Sequence, residues 1–134
     1  MNTKLITRRS FLLTSAAAAA ASAAPAPARK KIALIATVVF EKSHAQHFID
    51  RFALGYGWNG EWRKPEVDLV SLYIDQFPAN DLARGRSKRY GIPIHKSIAE
   101  ALTLGTGKLA VDGVVIIGEH GEYPTNDKEQ KLYP

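Results

Sequence analysis

The sequence predicts an α/β fold, a partial doubly wound, Rossmann-like parallel sheet with elements in the order βαβαβαβ. Short apolar runs rich in β-branched residues alternate along the chain with segments of helical spacing. Helix caps stand at several of the junctions between them. Continuous apolar runs are typical of strands buried on both faces, as in a parallel sheet. The expected strand order is 3-2-1-4.

The first strand is predicted at residues 32–39, where the chain is apolar throughout. Ser43 then stands three residues before Gln46, which is the spacing of a capping box. Apolar residues at helical spacing follow, and Gly55 is placed to end the helix. This first strand and helix are therefore joined by a turn without glycine.

Three more strands and two more helices are predicted after a loop. They are a strand at 67–75, a helix at 80–90, a strand at 92–95, a short helix ending near 104, and a strand at 111–117. Gly91 closes the second helix, and Ser97 with Glu100 forms a capping box for the third.

Residues 1–28 resemble a twin-arginine export signal. Arg8 and Arg9 precede Phe11, an alanine-rich run follows, and small residues surround a predicted cleavage site after Ala28. A membrane anchor and an alanine-rich core helix are the alternatives, but the stretch is short and weakly apolar for a membrane span. The resemblance implies export by the twin-arginine translocase to the periplasm or the extracellular space.

Three of the five net positive charges of the chain lie in this segment. Cleavage would remove three of the 18 Lys and Arg residues and leave 15 against 13 Asp and Glu. A net charge that small gives no support for a nucleic-acid partner, although basic residues do cluster at 84–89. The chain has no cysteine, which excludes disulfides and thiolate chemistry.

From residue 67 onward the sequence resembles the N-terminal domain of the Gfo/Idh/MocA oxidoreductases. The similar stretches are "LYIDQFPANDLARGRSKRYGIPIHKSIAEAL" and "VDGVVIIGEH", and the likeness extends over about 30–124. It implies a Rossmann domain at 29–124 that binds NAD or NADP, joined to a substrate domain that acts on sugars or polyols. Residues 125–134 are then a polar tail, cut short before further strands. The family's catalytic residues would lie beyond Pro134, so none is assigned and the chain alone is expected to be inactive.

The glycine-rich turn of that family is divergent in this chain. Its frame places Ala36, Val38 and Glu41 at the glycine positions and His44 at a frequent histidine. Val38 projects a branched side chain where backbone should approach pyrophosphate, and Glu41 brings negative charge towards phosphates. Two hypotheses remain open: an exported oxidoreductase domain with a degenerate phosphate turn, or a non-catalytic Rossmann-like binding or structural module.

Candidate cofactor-binding residues are those expected at the edge where the strands end. They are Ala36, Thr37, Val38, Glu41, His44, Asp75, Gly118 and His120. Asp75 would hold ribose hydroxyls, or would simply start the turn before Pro78.

Residues of metal-ligating type also occur at this edge. Because strands one and four are expected to be neighbours, we expect Glu41, His44, Glu119, His120 and Glu122 to converge above the sheet. Two imidazoles and a carboxylate are a common ligand set. The local series Glu41, His44 and His47 cannot share one helical face, since Glu41 precedes the cap, and no metal site is predicted.

The loop at 55–66 is long and contains both tryptophans, Trp58 and Trp62. It is expected at the opposite edge of the sheet, away from the ligand crevice. We therefore predict a second domain or subunit packing there and along the exposed edge of strand four.

Overall fold

The computed structural model describes residues 27–133 and has an α/β fold with a four-stranded parallel sheet. The elements in chain order are β1 (Lys30–Ala36), α1 (His44–Leu54), β2 (Tyr56–Trp58), β3 (Glu61–Arg63), β4 (Val67–Ile74), α2 (Ala83–Tyr90), β5 (Ile94–His95), α3 (Ile98–Thr103) and β6 (Gly113–Ile117). The sheet order is β5-β4-β1-β6, so the predicted fold class and the strand order 3-2-1-4 are confirmed.

β1 lies at the centre of the sheet, where it pairs in parallel with β4 and β6. Leu34 stands opposite Leu72 on one side and Val115 on the other. One face packs Leu34, Leu72 and Ile49 of α1 into the main hydrophobic core. Neighbouring strand residues face opposite sides, so Ser71 points to the other face, where its buried Oγ donates a 2.7 Å hydrogen bond to the Ala101 carbonyl of α3. Helices therefore pack on both faces of the sheet, although Val114 and Ile116 of β6 remain exposed.

The helix caps follow the sequence prediction. Ser43 caps α1 through the backbone N–H of Gln46, and Ser97 caps α3 through that of Glu100. Gly55 ends α1, and Gly91 ends α2 in the left-handed conformation with φ of 69°. Glycine adopts that conformation without steric cost.

Several predicted boundaries were wrong, two of them by three residues. The first strand ends at Ala36 instead of residue 39, because Val38 and Val39 are buried in the turn and not paired in the sheet. The second helix begins at Ala83 instead of residue 80, because Asp81 accepts the N–H of Ala83 at 2.9 Å and starts the helix there.

The loop at 55–66 contains a two-stranded antiparallel hairpin, β2 and β3, that the sequence analysis did not identify. Asn59 and Gly60 form its turn, with φ of 49° and 78°. An Asn-Gly pair with positive φ at both residues is the preferred two-residue hairpin turn.

The predicted export signal at 1–28 lies almost entirely outside the described residues and stays a prediction. Within residues 27–133, none of the helices is both long and apolar enough to span a bilayer.

Candidate functional site

The candidate site lies at the carboxyl edge of the sheet, where β1, β4 and β6 end. Three connections meet there: the turn at 37–43, the loop at 75–82 and the loop at 118–124. The strand order reverses between β1 and β6, which run side by side. In doubly wound sheets ligands bind in the crevice at such a reversal.

The turn at 37–43 is closed by its own hydrogen bonds. The Ser43 hydroxyl accepts the backbone N–H groups of Phe40 and Gln46, both at 3.2 Å. The Gln46 side chain reaches back and accepts the N–H of Lys42 at 2.5 Å. Three amide donors near the start of α1 are therefore occupied. In a dinucleotide site, donors at this place bind pyrophosphate.

The positions at which the family resemblance expects glycine are occupied in different ways. Ala36 ends β1 and is buried, and Val38 is buried with only 7% of its surface exposed. Thr37 is also buried, and its carbonyl accepts the N–H of Gln76 at 2.8 Å. Glu41 is exposed at the tip. The space that a phosphate would occupy beside the backbone is thus bordered by a packed valine and a carboxylate.

Asp75, the predicted ribose ligand, is held by two tyrosines. Tyr73 donates to Oδ1 at 3.0 Å and Tyr123 donates to Oδ2 at 2.7 Å. The hydrogen bond to Asp75 and partial burial both raise the pKa of the Tyr73 hydroxyl. Burial, followed by the hydrogen bond to Asp75, raises the pKa of Tyr123. Both carboxylate oxygens therefore already have a donor.

The loop at 118–124 is fixed at further points besides Asp75. The Gln76 side chain donates to the Glu122 carbonyl and accepts the Glu122 N–H, both at 3.0 Å. Lys131 Nζ donates to the Gly121 carbonyl at 2.8 Å, because residues 124–132 fold back on the loop. Gly121 is buried, and a Cβ there would overlap both the Tyr123 ring and the Thr37 methyl group. The loop therefore has a defined position above the sheet.

This position brings His44, Glu119 and His120 together. His44 Nδ1 is hydrogen-bonded to Glu119 Oε2, and His120 Nε2 lies 3.5 Å from the same oxygen. The His120 ring also packs edge-on against Phe40, with centroids 5.4 Å apart. His44 comes from the first position of α1, and the other two residues follow β6. The cluster thus bridges the two sides of the strand-order reversal.

A pocket of 440 Å³ adjoins the cluster. Its lining residues come from all three connections: Val38, Phe40, Gln76, Phe77, Pro78, Asn80, His120 and Glu122. Arg84 covers one face of the Phe77 ring, with its guanidinium carbon 3.9 Å from the ring centroid. The pocket combines two aromatic rings with carboxamide, carboxylate and imidazole groups.

The structure therefore joins some of the predicted site residues and separates others. His44 and His120 meet, and Val38 and His120 share the pocket. Asp75 is occupied by the tyrosine pair, and Gly118 is exposed at the end of β6, where a Cβ would meet nothing within 4 Å. Tyr73 was not identified from the sequence, and no role was assigned to Gln76 or Tyr123, although both follow strand ends at this edge. Tyr73 could have been identified, because it lies two residues before Asp75 and residues two apart on a strand share a face.

The opposite edge of the sheet carries an apolar groove of 740 Å³ beside the hairpin. Trp58 and Trp62 line it together with Phe48 and Phe52 of α1, and Trp62 Nε1 donates to the Leu54 carbonyl at 3.0 Å. This is the edge at which the loop was expected. The partner predicted for it stays a prediction.

Comparison of the chain with models of known protein families, with curated proteins and with solved structures found no match. The functional proposal therefore depends on the residues at the carboxyl edge.

Proposed function

We propose that this chain is a non-catalytic Rossmann-like binding module whose first turn does not hold a dinucleotide. The observation that carries the proposal is the closure of that turn by Ser43. Its hydroxyl takes the N–H groups of Phe40 and Gln46, and the Gln46 side chain takes that of Lys42. A pyrophosphate that bound these three amides would have to displace the hydrogen bonds, because the amides already have acceptors without a ligand.

Charge and packing support the same proposal. Glu41 and Glu119 are exposed carboxylates on the two sides of the crevice and disfavour an anion there. Tyr73 and Tyr123 already occupy one acceptor position on each Asp75 oxygen, so ribose hydroxyls would have to share the carboxylate with them. NAD or NADP binding and the Gfo/Idh/MocA-like oxidoreductase hypothesis stay predictions, which a direct titration distinguishes from the binding module.

The proposed ligand is a small polar molecule of the sugar class, bound in the 440 Å³ pocket. Phe40 and Phe77 contribute aromatic rings to its lining, and Asn80 and Glu122 contribute hydrogen-bonding groups. Sugar-like molecules present the same combination of apolar C–H faces and hydroxyl groups. The export signal predicted at 1–28 would place this binding outside the cytoplasm.

The experiment has two arms on the full chain. Calorimetric titration with NAD⁺, NADH, NADP⁺ and NADPH is expected to give no saturable heat, including for a Val38→Gly/Glu41→Gly variant, because Ser43 still occupies the amides. Saturation-transfer NMR with glucose, galactose and myo-inositol is expected to show binding that Phe40→Ala abolishes.

Phe48→Ala is the matched control, because it removes a phenylalanine from the groove at the opposite edge. Saturable dinucleotide binding would contradict the proposal and favour the oxidoreductase hypothesis. Loss of sugar binding in Phe48→Ala but not in Phe40→Ala would move the ligand to the hairpin groove.

A further inference from the structure

We propose that His44, Glu119 and His120 bind a divalent transition-metal ion, with Zn²⁺ the best match. One donor atom from each residue lies within 4.8 Å of the other two. Two imidazoles and one carboxylate form the ligand set of zinc sites that keep a coordination position open. The inference goes beyond the proposed function and does not depend on it, since metal and organic ligand are measured separately.

The present spacing is close to that of a metal centre. Ligand atoms about 2.1 Å from a tetrahedral Zn²⁺ are roughly 3.4 Å from each other. His120 Nε2 lies 3.5 Å from Glu119 Oε2, which already matches. His44 is hydrogen-bonded to that same oxygen, so the ion would replace this hydrogen bond. The three side chains are 67%, 48% and 53% exposed, so their rotamers adjust without disturbing the core.

The backbone that carries these ligands is fixed in advance. The Ser43 cap sets the start of α1 and hence the position of His44. Asp75, Gln76 and Lys131 hold the loop that carries Glu119 and His120. Less conformational freedom then has to be lost when the ion binds.

His120 adopts a backbone conformation that is uncommon for residues other than glycine. Its φ is 64°, in the left-handed region that L-residues with side chains rarely occupy. Such conformations persist where surrounding contacts enforce them, and they concentrate at binding and catalytic sites. Here the conformation directs the ring towards Phe40 and Glu119.

The location and the donor chemistry select the kind of ion. The cluster lies at the strand-order reversal and shares His120 with the pocket, so the ion would lie at the pocket rim. The Glu119 carboxylate offsets part of its charge. Imidazole nitrogens suit Zn²⁺ and its neighbours in the transition series, whereas Mg²⁺ and Ca²⁺ require oxygen ligands.

The test is calorimetric titration of the untagged, chelator-treated full chain with Zn²⁺, and with Mg²⁺ in parallel. His44→Ala, Glu119→Gln and His120→Ala each remove one ligand. His47→Ala is the matched control, because it removes an exposed histidine three residues along the same helix that is not part of the cluster. Circular dichroism checks that every variant is folded, which we expect at these exposed positions.

We expect one Zn²⁺ per chain, no Mg²⁺ binding, and an increase in Tm with Zn²⁺. Each ligand variant should weaken Zn²⁺ binding by at least about 10-fold, the smallest loss typical even for residues that only support ligands. His47→Ala should leave the Kd unchanged. Absence of Zn²⁺ binding, or an equal loss in His47→Ala, would overturn the proposal and leave an ordinary surface ion pair.

Discussion

The Tyr123 hydroxyl donates a 2.7 Å hydrogen bond to Asp75, 48 positions earlier in the chain. The bond joins the loop after β6 to the end of β4, across β1. It occupies an oxygen of the carboxylate that a dinucleotide-binding domain would use for the ribose. The same bond holds in place the loop that carries Glu119 and His120.

Removing this hydroxyl should destabilise the domain in a pH-dependent way. Tyr123→Phe should cost about 1.5 kcal/mol at pH 7, as for a hydrogen bond to a charged acceptor. Because the pKa of Tyr123 is raised by burial and by the bond to Asp75, its contribution is full below the ordinary tyrosine value of 10.0 and is lost as the pH rises through the raised pKa. The difference in the free energy of unfolding between the variant and the unaltered chain should therefore shrink when urea titrations are made at alkaline pH.

Tyr133→Phe is the control for this series, since Tyr133 is exposed and packs on the Tyr123 ring. It should change the free energy of unfolding little at any pH. If the loss in free energy of unfolding caused by Tyr123→Phe did not change with pH, it would contradict the raised pKa that burial and the bond to Asp75 give Tyr123.

Gly121 should tolerate no side chain. A Cβ would overlap the Tyr123 ring and the Thr37 methyl group, so Gly121→Ala should displace the loop and cost about 1–3 kcal/mol, as for overpacking. It should also weaken Zn²⁺ binding. Gly118→Ala, in the same loop but in open space, should do neither. Equal unfolding midpoints for the two variants in urea would contradict the position assigned to the loop.

The two serine caps should differ in their contribution to stability. Ser43 is buried and accepts two N–H groups, whereas Ser97 accepts one. Ser43→Ala should therefore cost about 1–2 kcal/mol and Ser97→Ala about 0.5–1 kcal/mol, within the usual range for caps. Urea denaturation followed by circular dichroism measures both. The reverse order would argue against a turn closed by Ser43.

Asp50 should stabilise the packing of α1 on α2 in an acid-sensitive way. It accepts two hydrogen bonds from Arg86, at 2.8 and 2.9 Å, and one from Tyr90 at 2.9 Å. Burial raises the pKa of Asp50, but the bonds from Arg86, Gln46 and Tyr90 outweigh it, so the net pKa is lowered.

The contribution of Asp50 is accordingly full above the ordinary value of 3.8 and is lost as the pH falls through the lowered pKa. Asp50→Asn should cost about 1.5–3 kcal/mol at pH 7 and less below pH 3.8. Asp68→Asn, which breaks an exposed pair with Arg29, should cost at most about 1 kcal/mol. Equal losses in the two variants would contradict the special role of Asp50.

The main strands were predictable from apolar runs bounded by caps and glycines, and their order followed from the connection rules of doubly wound sheets. Two helices begin at the predicted N-caps, Ser43 and Ser97, and two end at the predicted glycines, Gly55 and Gly91. The wrong end of the first strand has a physical reason, since Val38 and Val39 are buried without sheet pairing and burial alone does not distinguish a strand from a packed turn. The hairpin was missed although Asn59-Gly60 is a strong local signal.

The site was less predictable, because it depends on contacts between distant segments. That His44 meets His120 follows from the adjacency of β1 and β6, which the strand order implies. Two other contacts depend on how the loop at 118–124 folds back, which no local sequence pattern encodes. They are the bond from Tyr123 to Asp75 and the pairing of Gln76 with the backbone of Glu122. Ser43 was predicted as a helix cap, but not as the acceptor that closes the turn.

The central claim is that three amides at the first turn, those of Phe40, Lys42 and Gln46, are occupied by the chain itself. The most direct measurement is a ¹H–¹⁵N correlation spectrum of the full chain titrated with NADH, following the backbone amides of Phe40, Lys42 and Gln46. We predict that these three signals do not shift at millimolar NADH. Saturable shifts of the three signals would contradict the claim, since they would show that a dinucleotide reaches the amides that Ser43 and Gln46 are proposed to hold.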